Sequence, residues 1–151
     1  MSNFYLSLGS NINPKKNLVT AINNLNQAFE VGKISNFYLN SAAGFEGSHF
    51  INGCLEILDN YQTFDQTNAI LKSIEDSLER DRYKPKFSSR PIDLDIVLVV
   101  ENGEIIFTSD EIKKYDFVSI PLKEIITHEK SNALGIMRVN NPTFEKIDIY
   151  L

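Results

Sequence analysis

Apolar residues recur along this chain in two rhythms, one of period two and one of period three to four, and the switches between them outline its elements. Phe4 to Leu8 is a short apolar run ending at Gly9-Ser10-Asn11, which predicts a strand and then a turn. Pro14 suits a first helical position, and Leu18, Ile22, Leu25 and Phe29 follow at helical spacing until Gly32, where the helix is expected to stop. Ile34 to Asn40 and Phe50 to Leu58 read as two strands. The stretch between them, Ser41 to His49, is polar, contains glycine and is longer than a tight hairpin needs, as functional loops often are. Thr63 and Gln66 form a capping box ahead of Ile70, Leu71, Ile74 and Leu78, the buried stripe of a second helix. A strongly apolar strand then runs on to Val100, Glu104 to Thr108 predicts an extra strand, and Pro121 to Ile126 a short helix. Residues 127–151 carry no assignable period.

The order strand, helix, strand, strand, helix, strand matches an α+β ferredoxin-like sandwich, an antiparallel sheet with two helices packed on one face. The 151 residues predict a single domain over 1–151, long enough to close one core. Cys54 is the one cysteine, and between Gly53 and Leu55 in an apolar run it reads as core filler. No apolar run approaches bilayer length and no basic-then-apolar leader is visible, so a soluble, cytoplasmic protein without membrane contact is expected.

Charge narrows the picture further. Fifteen Lys and Arg against twenty Asp and Glu give a net charge of -5, which opposes a dedicated nucleic-acid binder. An RNA-binding module of the same fold is disfavoured for that reason and because no aromatic RNA-binding pattern is present. Five of the basic residues nevertheless crowd between positions 80 and 90: Arg80, Arg82, Lys84, Lys86 and Arg90. A local anion site on an acidic protein is therefore expected.

Directly after that basic stretch comes Arg90-Pro91-Ile92-Asp93-Leu94-Asp95, leading into Ile96-Val97-Leu98-Val99. Side chains two apart on a strand share a face, so Asp93 and Asp95 project together with Cα atoms roughly 6 to 7 Å apart. Carboxylates at the head of a buried strand demand a positive partner. A magnesium ion, which takes a couple of carboxylates, several waters and phosphate oxygens, is one such partner. Pro91 holds Arg90 extended, where its guanidinium suits bidentate phosphate contacts. On pattern alone, solvated aspartates with Arg90 as a surface ion partner remain an alternative.

These motifs resemble the 6-hydroxymethyl-7,8-dihydropterin pyrophosphokinases of folate biosynthesis, whose signature is an Arg, two residues, then Asp-Leu-Asp and an apolar run. The likeness runs in order from "YLSLGSN" (Tyr5 to Asn11) through "FYLN" and "FING" to "FVSIPLKEI" (Phe117 to Ile125). It implies a ferredoxin-like fold and transfer of diphosphate from ATP to the pterin hydroxymethyl group, releasing AMP. It further implies Mg2+ at Asp93 and Asp95, basic contacts to the ATP phosphates from Arg80 and Arg90, and Arg82 on a catalytic loop. Glu75 then lies on the nucleotide side. Phe50 and Phe117 match the aromatics that sandwich the pterin, Asn52 the amide at its edge, and Asn40 and Gly44 further substrate contacts.

The resemblance is not uniform. Where many members carry Pro-His, and six residues after the His an Arg, this chain has Thr108-Ser109 and Tyr115, with Lys113 and Lys114 the nearby cations. The expected partners are the two small-molecule substrates, acting on a monomer. A catalytically silent homologue that binds pterin or nucleotide is the alternative.

Overall fold

The computed structural model describes residues 1–40, 49–78, 91–136 and 144–150. Its first element, β1 (Ser2–Ser10), owes its central position to an alternation that buries both faces. Phe4, Leu6 and Leu8 point one way, and Tyr5, Ser7 and Gly9 the other. Helix α1 (Pro14–Ala28) starts on its proline and buries Leu18, Ala21, Ile22 and Leu25. After it come β2 (Glu30–Ile34), β3 (Phe37–Asn40), β4 (Phe50–Asn60), α2 (Phe64–Leu78), β5 (Asp93–Glu101) and β6 (Glu104–Thr108). Three helices, α3 (Glu111–Lys114), α4 (Asp116–Ile125) and α5 (His128–Ala133), and a strand, β7 (Phe144–Ile147), complete the described elements.

The strands form one antiparallel sheet in the order β6-β5-β1-β4-β3-β7, with β2 also paired to β4. Helices α1 and α2 cover the face carrying Phe4, Leu6, Leu8, Ile51, Leu55 and Leu94. The expected sandwich is thus present. Behind the sheet, Tyr5, Cys54, Val97 and Leu98 pack instead against Ile112, Val118, Leu122 and Leu134 of the α3 to α5 region, so the sheet carries helices on both faces. Cys54 is fully buried there, and burial pushes its thiol pKa far up, as core filler requires.

Three boundaries differ from the sequence reading. The first helix ends at Ala28, and Gly32 lies inside β2, where a Cβ would run into the Glu56 carboxylate and the Leu58 side chain. The strand expected over 34–40 is broken at Ser35-Asn36. There the Ser35 Oγ accepts the Cys54 N–H (2.8 Å), while Asn36 donates from its backbone and side chain to Glu124 of α4 (2.9 Å each). Pro121 lies within α4 rather than starting it, the helix having begun at Asp116. The capping box ahead of α2 is present, with Thr63 N–H donating to Gln66 Oε1 (3.0 Å) and Gln66 N–H to Thr63 Oγ1 (3.1 Å).

Among the described residues, no helix is long and apolar enough to cross a membrane.

Candidate active site

Over the ends of β1, β3, β4 and β5, on the α3 and α4 side of the sheet, the surface opens into a cleft of about 650 Å³. Its floor follows from strand register. Gly9 of β1 pairs with Asn52 of β4 on one side and Asp93 of β5 on the other, so these three stand on one row of the sheet and face the same way. Ser7 and Asp95 form the next row. Glu111, Lys114, Tyr115, Asp116 and Phe117 supply one wall, and Asn40, Phe50 and Phe144 the other end.

One half of the cleft is aromatic and amide-lined. Asn52 is only 5% exposed, and its Oδ1 has no hydrogen-bond partner among the described residues. A buried amide oxygen without a partner costs roughly 1 to 3 kcal/mol, which a ligand donor would recover. The amide fits here because position 9 is glycine: a Cβ on Gly9 would stand 2.6 Å from Asn52 Nδ2. Phe50 and Phe117 line the same cleft, and Phe117 stacks on Tyr115 with centroids 4.7 Å apart and planes 20° from parallel. Tyr38, one strand over, packs its ring on Phe144 (6.4 Å). A flat ring that presents donors along one edge suits this half.

The other half is ionic. Asp93 and Asp95 are half-buried on the cleft face of β5, while Leu94 between them is buried in the core below. No cluster of three or more His, Cys, Asp or Glu side chains able to hold a metal ion occurs among the described residues. Two hard carboxylate ligands, with the remaining positions open to water and phosphate, are the donor set that magnesium takes, so the residues fit that ion. Glu111 and Asp116 add negative charge at the rim. Burial, and then the fields of Asp95 and Asp93, raise the Glu111 pKa against the opposing pull of Lys114 and Lys72.

Behind the aspartates lies an arrangement that depends on strand length. Since β6 pairs with β5 only from Leu98 onward, the outer edge of β5 near Leu94 has no neighbouring strand among the described residues. Helix α2 closes it with side chains. Glu75 Oε2 accepts the Leu94 N–H (2.7 Å), and Lys72 Nζ donates to the Leu94 carbonyl (3.3 Å). The same ammonium lies 3.2 Å from Glu75 Oε1 and 3.6 Å from Asp95 Oδ1. Burial pushes the Glu75 pKa up to about 7, although the Leu94 N–H and Lys72 act against it. For Lys72, burial lowers the pKa but Glu75, Asp95 and Asp93 outweigh it, and the net shift is upward.

Of the residues singled out from sequence, the fold gathers Asn40, Phe50, Asn52, Asp93, Asp95 and Phe117 around the cleft. Glu75 is not on the cleft wall: its carboxylate is engaged behind β5. Arg80, Arg82, Arg90 and Gly44 lie outside the described residues, as does most of the Ser41 to His49 loop. Lys114 lines the cleft, whereas Lys113, one position earlier on α3, faces a separate depression beside α5. Ser109 precedes the start of α3, its Oγ accepting the Glu111 N–H (3.1 Å).

Sequence reasoning missed Lys72, Glu111, Asp116 and Phe144. The three-residue spacing of Lys72 and Glu75 was the one available signal, since such pairs meet on a helix surface.

Comparison with known proteins gives a consistent result. Residues 5–127 match the family model described as 7,8-dihydro-6-hydroxymethylpterin-pyrophosphokinase (HPPK). The 2-amino-4-hydroxy-6-hydroxymethyldihydropteridine pyrophosphokinase of Porphyromonas gingivalis, found in two strains, is 31% identical over 136 residues, covering 83% of this chain and 91% of the relative. The protein of the same name from Aquifex aeolicus is 32% identical over 131 residues, covering 83% of this chain and 81% of the relative.

Proposed function

This chain belongs to the 7,8-dihydro-6-hydroxymethylpterin-pyrophosphokinase family, ATP-dependent diphosphokinases of folate biosynthesis, and from that premise we propose which side chains hold each reactant. The pterin lies between Phe50 and Phe117, with its polar edge on Asn52 and with Asn40 and Gly44 as further contacts. The ATP phosphates lie over Asp93 and Asp95, which hold Mg2+, and are gripped by Arg80, Arg82 and Arg90. Glu75 acts on the nucleotide side by shaping β5 from behind.

The observation that carries this reading is the row Asn52, Gly9, Asp93. With strands roughly 4.8 Å apart, the amide and the carboxylate have their Cα atoms about 10 Å apart, with only a glycine between them. That spacing lets a ring held at Asn52 extend its substituent over Gly9 toward phosphates held at Asp93. In the reaction a bond forms between the hydroxymethyl oxygen and the β-phosphorus, the bond from that phosphorus to the oxygen bridging the α-phosphorus breaks, and AMP leaves with the electron pair while the hydroxyl proton is lost.

The protein's task is alignment and charge compensation, which can supply on the order of 7 to 11 kcal/mol when two reactants are held in line. Bound Mg2+ would neutralise charge on the phosphate oxygens. Asp93 and Asp95 orient it, the arginines cover the remaining charge, and the aromatic pair fixes the plane of the nucleophile.

A cytoplasmic location and a monomeric state belong to the same proposal, and light scattering checks the second. The functional test is AMP release from ATP with and without 6-hydroxymethyl-7,8-dihydropterin. Release that depends on the pterin and falls in Asn52→Ala supports the assignment. Full release from that variant would move the pterin elsewhere.

A further inference from the structure

Helix α2 contributes nothing to the lining of the cleft, yet one of its side chains delivers a positive charge to the ion-binding end. Lys72 Nζ has three groups around it: the Glu75 carboxylate (Oε1 3.2 Å, Oε2 3.3 Å), the Leu94 carbonyl (3.3 Å) and, in an ion pair, Asp95 Oδ1 (3.6 Å). The first two hold it in place, because both belong to the closure of the bare β5 edge. The third is a carboxylate that faces the cleft. Among the described residues, β6 leaves that edge open by pairing only from Leu98 onward, and the lysine reaches Asp95 around it.

We propose that Lys72 is a resident counter-ion for Asp95, occupying part of that carboxylate's electrostatic demand when no divalent cation is bound, so that α2 lowers the resting metal affinity of the site from behind the strand. This inference rests on the reading that Asp93 and Asp95 hold the metal. A cation arriving at Asp95 meets a fixed like charge within the same shell, and it gains less from a carboxylate that already has a positive neighbour. Tight binding is then reserved for the state in which ATP phosphates add their own negative charge to the site. Lys72 does not line the cleft. Its role is to position charge.

Manganese, a paramagnetic stand-in for magnesium, provides the test on the nucleotide-free protein, with free Mn2+ followed by electron paramagnetic resonance during titration. In Lys72→Gln the amide keeps a donor for the Leu94 carbonyl and loses the charge, and Mn2+ affinity should rise roughly three- to tenfold. Lys72→Arg keeps the charge and should stay within about twofold of the parent. The gain in Lys72→Gln should shrink as potassium chloride is added. Unchanged or weaker Mn2+ binding in Lys72→Gln overturns the counter-ion role, the weaker result meaning that the lysine instead preorganises Asp95. Asp95→Asn separates the two readings: if it binds Mn2+ like the parent, the metal assignment fails and this inference with it. If it loses Mn2+ while Lys72→Gln matches the parent, the counter-ion inference alone fails.

Discussion

Asn52 and Asp93 stand on the same row of the sheet with only Gly9 between them. The trough left by the missing side chain is what allows the amide of one and the carboxylate of the other to face a common space. Gly9→Ala would put a Cβ 2.6 Å from Asn52 Nδ2, so the amide must rotate or the strand must shift. Pterin affinity should fall about tenfold or more, the order expected when a buried polar group loses its aligned partner. ATP affinity should change little. Calorimetric titration of each ligand separately checks this, and equal losses for both ligands would mean that the strand, rather than the amide, had moved.

Asp95→Asn removes a charge without removing volume from a half-buried position. Turnover should fall on the order of a hundredfold or more, because a metal-held phosphate loses one of its two anchors. The melting temperature should stay close to that of the parent. Full AMP release by this variant would remove Asp95 from the site.

Stability should depend on pH through Glu75. Its carboxyl titrates near 7 in the folded protein against 4.5 as the ordinary value, so between those values the native state binds more protons than the unfolded chain. Stability from this group is therefore complete below about pH 4.5 and is lost as pH rises through 7, by no more than about 3 kcal/mol. Glu111 is shifted the same way and adds to the slope. Melting curves from pH 5 to 8 should show a decline that Glu75→Gln flattens. An identical slope in that variant would assign the dependence elsewhere.

The two adjacent lysines of α3 should differ in their effect on ATP binding. Residues one apart on a helix do not share a face, and Lys114 lines the cleft while Lys113 does not. Lys114→Ala should weaken ATP binding roughly two- to fivefold, the range of an exposed charge contact. Lys113→Ala should leave it unaltered, and neither should affect the pterin. A larger effect from Lys113 would reverse this orientation of α3.

Much of this architecture was legible in the sequence because periodicity reports burial. Leu18, Ile22 and Leu25 marked the buried stripe of α1, and Thr63 with Gln66 marked the start of α2. Asp93 and Asp95 were legible as a same-face pair because strand period alone dictates it. What neutralises them was only half legible. Arg90, which adjacency offered as the alternative to magnesium, lies outside the described residues, whereas Lys72, a described neighbour of Asp95, comes from α2, and reading it required knowing that β6 pairs with β5 only from Leu98 onward. Gly32 misled for a related reason: its requirement comes from Glu56, a residue on another strand, and no local pattern contains that contact. Phe144 was invisible because the four residues of β7 are too few to show a period.

The row through Gly9 also has a consequence for how the protein is made. Its three members come from β1, β4 and β5, strands far apart in sequence and brought together by pairing that closes long loops, the slow kind of contact in folding. The ligand floor is therefore absent from any growing chain that has not yet released β5. With the ligands placed as proposed, neither substrate should template the early stages of folding, and ligand rescue of a destabilised variant should act late, by capturing a sheet that has already closed.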